Sequence, residues 1–200
     1  MLIRNAQLYI GNHFENGLSV RLKDGKIAEV GECLQAETGE PEIDLAGDFL
    51  LPGFVDVHIH AFGGKDIMQG EDAVRTMSRE LRRLGVAAFC PTTMSAGPEE
   101  TRNAVEGIRA VMKRPEPAGA QVLGAHMEAP FLQESRAGAQ LKEFFCDPSM
   151  EKLEALTGGD LDAVRLITMA PERSGSEEFI RSAAAAGIHV SIGHTSATAE

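Results

Sequence analysis

From residue 52 onward, short apolar segments of strand character alternate with longer segments of helical spacing, and this alternation constrains the fold more than any other feature. The strand-like segments are 54–60, 86–93, 121–128, 164–171 and 188–194. Between the first two, residues 71–84 place Ala73, Met77, Leu81 and Leu84 on one side and stop at Gly85. Pro98 opens a second helix through Met112, with Val105, Ile108 and Met112 inward. Asp147-Pro148 caps a third that ends near Gly158-Gly159, and an alanine-rich fourth runs from Ser176 to Gly187. Such βα repeats predict a parallel sheet. The polar residues His58, His60, Thr92, Thr93, Glu128 and His194 gather at the carboxyl ends of the strands, where barrels and doubly wound sheets both place their ligands. No glycine-rich phosphate fingerprint follows the first strand, so the spacing predicts an α/β chain of the (β/α)8 TIM-barrel type with about five βα units present. Five strands cannot close a barrel of eight. The chain therefore reads as the N-terminal part of a longer protein, or as a half barrel that needs a partner chain.

Residues 1–51 have a different texture. Short alternating strands are separated by turns, and Asp24-Gly25 between residues 18–22 and 27–30 is a hairpin signal. This part reads as a small β subdomain, with residues 52–200 forming the barrel part. His13 sits beside a turn and reads as solvated.

The stretch Pro52-Gly53-Phe54-Val55-Asp56-Val57-His58-Ile59-His60 carries the first chemistry. Alternation along a strand puts Asp56, His58 and His60 on one face and Val55, Val57 and Ile59 on the other. Burying such a polar face is costly unless something pairs with it, and a divalent metal held by two imidazoles is one such partner. An edge strand with two solvated histidines is the competing reading.

Composition narrows the choice of partners. The net charge is −11, which argues against nucleic acid or an anionic membrane surface and leaves an anionic small molecule open. Cys33, Cys90 and Cys146 show no paired spacing, as expected of reduced thiols in a cytoplasmic protein. The N-terminus lacks the pattern of a signal peptide, and no apolar run approaches membrane-spanning length.

In order along the chain, several segments together resemble the N-acetylglucosamine-6-phosphate deacetylases of the amidohydrolase superfamily. They are residues 52–60, Pro91-Thr92-Thr93, residues 124–132 around Glu128, Arg136-Ala137-Gly138-Ala139-Gln140, Ala170-Pro171-Glu172 and residues 191–198 around His194. The resemblance implies a metal-dependent barrel with a small β-sandwich built from both chain ends. It implies hydrolysis of the acetamide of an N-acetylated amino-sugar 6-phosphate by an enzyme that forms homodimers. His58, His60, Glu128 and His194 then correspond to metal ligands for one or two ions, zinc ahead of iron or manganese. Gln140 and Ala139 lie in the segment that contacts the sugar. The family's catalytic Asp falls beyond residue 200, so no catalytic residue is assigned here, and the 200-residue chain alone is expected to turn over little substrate. Ala129 departs from the family's usual Gly after the ligand Glu.

Other residues keep two readings. His126 shares a strand face with Glu128 and is either a support for the metal ligands or a hydrogen-bonded core histidine. Glu172 either lines the site or caps a loop. Thr92 and Thr93 either touch substrate or simply suit a strand, and His189 reads as structural. Another amidohydrolase would share His-x-His but usually carries a lysine where the fourth strand ends here in Met169-Ala170-Pro171. A non-catalytic partial barrel is the third possibility.

Overall fold

The structure, a computed structural model, describes residues 1–199. The chain forms two compact units, Met1–Pro52 and Gly53–Glu200.

The first unit is a single sheet. Its strands are β1 (Leu2–Ile10), β2 (His13–Lys23), β3 (Lys26–Glu32), β4 (Glu42–Asp44) and β5 (Phe49–Leu50). β3, β2 and β1 are antiparallel neighbours, while β4 and β5 run parallel to β1 along its other edge. Both hairpins close through two residues at positive φ, Gly11-Asn12 and Asp24-Gly25, the backbone twist a two-residue hairpin demands. Ala6, Leu8, Leu18 and Val20 form the core of this unit.

The second unit holds the βα repeats. They begin with β6 (Phe54–Ile59), the small hairpin β7 (Ala61–Phe62) and β8 (Lys65–Asp66), and α1 (Glu71–Arg83). Then come β9 (Val86–Thr93), α2 (Pro98–Lys113), β10 (Gln121–Val122), β11 (Ala125–Met127), α3 (Met150–Thr157), β12 (Val164–Met169), α4 (Ser176–Ala185) and β13 (His189–Ile192). β6, β9, β11, β12 and β13 pair in that order, all parallel. Each strand lies beside its successor with no reversal, the order of a partial barrel and not of a doubly wound sheet. Phe89, Met127, Ile167 and Met169 from the strands pack with Met77, Ile108, Leu153 and Phe179 from the helices into one buried cluster.

Two local expectations change. The strand predicted over 121–128 is broken into β10 and β11. Gly124 sits between them at φ +141, and a Cβ there would stand 2.9 Å from the Ala163 carbonyl oxygen and from Arg165 Cβ. Only glycine fits that crossing. The third helix is capped by Ser149, whose Oγ accepts from the Lys152 N–H at 3.3 Å, and not by Asp147. Asp147 precedes a proline, which disfavours helical backbone before it. In β6, Phe54, Val55 and Val57 are 68%, 59% and 49% exposed. Among the described residues β6 pairs only with β9, so it is an edge strand, and β13 at the other edge exposes Ile192.

Because Gly124 aims β11, and with it Glu128, Gly124→Ala should destabilise the unit by about 2 kcal/mol or more through backbone strain and steric overlap. Urea unfolding of the two proteins measures this, and equal midpoints would contradict the role given to the break.

Candidate metal centre

Four side chains from three strand ends converge. His58 lies in β6, His60 directly follows it, Glu128 follows β11 and His194 follows β13. Glu128 is 5% exposed. Its Oε1 lies 3.0 Å from His194 Nε2 and 3.4 Å from His58 Nε2, and its Oε2 lies 3.0 Å from His60 Nε2. The Nε2 atoms of His58 and His60 are 3.1 Å apart. Ligand atoms of His58, His60 and Glu128 all lie within 4.8 Å of one another, while His194 joins the group through Glu128. Two atoms bound to one ion at about 2.0–2.2 Å, at angles between square and tetrahedral, stand about 2.8–3.6 Å apart. The observed separations fall in that range, and the donor set of imidazoles and carboxylate fits a divalent metal ion.

The imidazoles are aimed by backbone oxygens. Nδ1 of His60 donates to the Thr92 carbonyl at 3.0 Å, and Nδ1 of His194 donates to the Arg136 carbonyl at 2.7 Å. Such a bond holds the proton on Nδ1 and leaves Nε2 to face the centre. His194 has φ +49, a left-handed conformation that only a minority of non-glycine residues adopt. Its neighbourhood holds it there. Gly193 N–H donates to the Met169 carbonyl, Gln133 N–H donates to the His194 carbonyl, and Glu172 accepts from Thr195 Oγ1 and Ser196 N–H. Glu172 thus caps the loop after His194.

β6 departs from strict alternation here. Its register against β9 shifts between Asp56 and Ile59, the His58 N–H donates to Asp56 Oδ1, and the Ile59 N–H donates to Thr92 Oγ1. His58 and His60 still reach one centre, but Asp56 is spent on the backbone and stays out of it. Thr92 is fully buried in this support and Thr93 bonds to Met127 Sδ, so both serve the sheet.

His126 lies beneath the cluster as a core histidine. Nδ1 donates to the Val57 carbonyl at 2.9 Å, Nε2 accepts from Thr168 Oγ1 at 2.7 Å, and the ring meets His58 edge-on with centroids 4.8 Å apart. Both nitrogens are used, so His126 ties β6 to β12 and does not ligate. His189 is exposed at the start of β13. Gln140 is buried, with its amide on Glu128 and Ser95, and Ala139 is exposed beside it. Sequence reasoning missed Ser95, Thr168 and the carbonyls of Thr92 and Arg136: backbone groups leave no residue-type signal, and a threonine in a strand is too common to give one.

Electrostatics follow the geometry. Burial alone would raise the Glu128 carboxyl, but hydrogen bonds from His60 and His194 outweigh it and hold the group down, to about 2. The bond to Glu128 raises the His60 imidazole against the opposing effect of burial. Burial lowers His126 to about 4.

A family model described as Amidohydrolase family matches residues 49–200. The chain belongs to the amidohydrolase family. Within it, the chain is similar to proteins named N-acetylglucosamine-6-phosphate deacetylase. It is 33% identical over 204 residues to that of Lysinibacillus sphaericus, covering 100% of this chain and 51% of the relative. With that of Vibrio furnissii it shares 36% identity over 98% of this chain and 49% of the relative, and with that of Homo sapiens 39% over 76% and 38%. Among solved structures it matches a Mycobacterium smegmatis deacetylase variant in complex with N-acetyl-D-glucosamine-6-phosphate. The TM-score is 0.82 at 27% identity, over 99% of this chain and 50% of that one. The Pasteurella multocida deacetylase also gives 0.82, at 25% identity over 98% and 51%. The chain spans about half the length of the curated relatives it matches.

The buried His126 yields a pH test. Above about pH 6.5 the imidazole is neutral in both folded and unfolded chains; between about 6.5 and 4 only the unfolded chain takes up the proton. Stability should therefore fall as pH drops through that window, by on the order of 3 kcal/mol from this residue. In His126→Gln, less stable at neutral pH, that part of the slope should vanish. Urea titrations at pH 7, 5.5 and 4 compare the two, and parallel slopes would refute the assignment.

Proposed function

We propose that this chain is the N-terminal portion of a metal-dependent hydrolase that removes the acetyl group from N-acetylglucosamine 6-phosphate, giving glucosamine 6-phosphate and acetate. The observation that carries the reading is the convergence of His58, His60 and His194 on the buried Glu128 carboxylate. The names of the relatives, together with the match of nearly the whole chain to their first halves, support the substrate. We assign His58, His60, Glu128 and His194 as ligands of one or two divalent ions, with Glu128 shared if there are two, and take zinc as the metal.

When bound, the metal lowers the pKa of water toward neutrality and polarises the amide carbonyl. The protein's share is to hold the ligands in register. The carbonyls of Thr92 and Arg136 fix the faces of two imidazoles, the surrounding core keeps Glu128 nearly dry, and its hydrogen bonds to His60 and His194 keep it charged against that burial. The amide cleavage also needs a group that takes a proton from water and returns it to the departing amine. We assign that role to the aspartate that the family resemblance puts beyond residue 200; among the described residues no second carboxylate lies within 4 Å of the ring nitrogens of His58, His60 or His194. The segment through Ala139 and Gln140 adjoins His194, since a Cβ on Gly138 would come within 3.4 Å of the His194 ring. In this reading it flanks the sugar.

The exposed apolar side chains on β6 and β13 support further strands in the whole protein, closing a (β/α)8 barrel. We read residues 1–51 as the first part of a small β-sandwich and 52–200 as the first part of the barrel, in a homodimeric protein. The free cysteines Cys33, Cys90 and Cys146 suit the reducing cytoplasm, where we place it.

Elemental analysis of protein purified without chelator is expected to find near-stoichiometric zinc, lost in the Glu128→Ala, His194→Ala double variant. Because a metal must displace the His60 proton that Glu128 stabilises, affinity should rise with pH between 5 and 8, read by competition with a chromophoric chelator. No metal in either protein, or an affinity flat across that range, would overturn the metal centre. In assays of acetate release, the 200-residue chain alone should show little turnover, and robust metal-dependent release would contradict the placement of the proton-transfer group outside it.

A further inference from the structure

The Gln140 carboxamide is locked at both ends. Its Oε1 accepts from the Ser95 N–H at 2.6 Å, which decides the direction of the amide. Its Nε2 then faces Glu128 and donates to Oε2 at 2.5 Å, with Met94 Sδ 3.5 Å from the same nitrogen. The Leu141 N–H donates to Ser95 Oγ at 2.5 Å, so two adjacent residues grip the loop after β9. Ser95, Gln140 and Glu128 are 6%, 5% and 5% exposed, so water does not compete for these bonds.

An amide N–H has no lone pair for a cation, so Gln140 in this orientation is not a ligand. What it does is restrain one. Oε2 is shared by Gln140 and His60, whereas Oε1 faces His58 and His194. A glutamate side chain rotates about three bonds, and the Gln140 tether removes the last of that freedom at the carboxylate. A neutral donor suits the task. A lysine here would neutralise Glu128 and compete with a bound cation, and an acid would set two carboxylates against each other.

We infer that Gln140, clamped by the Ser95 backbone, is a positioning residue that fixes the plane of the Glu128 carboxylate and so sets the affinity of the centre for its metal. The inference rests on the metal-centre reading above.

The test uses Gln140→Met, which keeps the length of the side chain and removes the donor. Zinc affinity, by chelator competition, should fall about 10- to 100-fold, the usual cost of losing a group that orients a metal ligand. Ser95→Ala, which keeps the backbone donor to Gln140, should fall much less. A merely structural role would lower the melting temperature of the metal-free protein and leave zinc affinity within twofold of wild type, and that result would sink the proposal. A second readout needs no metal. In the 15N-labelled, metal-free chain the Gln140 side-chain amide should be shifted from free glutamine positions, and Glu128→Ala should return it. An unshifted amide also overturns the inference. If wild type takes up no zinc, the metal-centre reading fails, and Gln140 with it as a determinant of affinity; the amide shift then says whether the clamp itself exists.

Discussion

The Glu128 carboxylate carries a charge where water scarcely reaches, and the site depends on that one burial. An unpaired carboxylate in such a place would take up a proton or unfold its surroundings. Glu128 instead has partners on both oxygens: His58 and His194 on one, His60 and Gln140 on the other. These partners come from β6, β13 and the segment after β11, which can meet only if the strands run parallel with their carboxyl ends together. The fold and the charge therefore constrain each other.

The imidazoles in turn depend on groups that carry no charge. Thr92 supplies its carbonyl to His60 and its hydroxyl to the Ile59 N–H, so a single residue of β9 fixes how β6 ends. His126, neutral and buried, bridges the Val57 carbonyl and the Thr168 hydroxyl under the cluster. Keeping His126 uncharged costs stability in acid. His194 sits in a strained backbone region, and that strain is offset by Glu172, Gln133 and the Arg136 carbonyl.

Much of this was legible in the residues. The five strand segments and four helices stand where hydrophobic periodicity, Pro98 and Gly85 put them, because period and punctuation are local properties of the chain. The hairpin at Asp24-Gly25 is legible for the same reason. His58, His60, Glu128 and His194 could be singled out by residue type at strand ends. Misreadings arose where a neighbour distant in sequence decides the backbone. The break at Gly124 exists because Ala163 crosses there.

By itself, then, the sequence determined the alternating βα plan and the residue types available for a metal. Those follow from side-chain chemistry and short-range spacing. Only the tertiary structure decided which atoms meet. It gave His126 to the sheet and kept Asp56 on its own backbone, made Glu172 a loop cap, and turned Gln140 toward Glu128. The physical reason is that three of these four contacts join residues 12 to 69 positions apart and the fourth depends on how the end of β6 departs from its register, and neither distance in the fold nor register is written in the identity of any one residue.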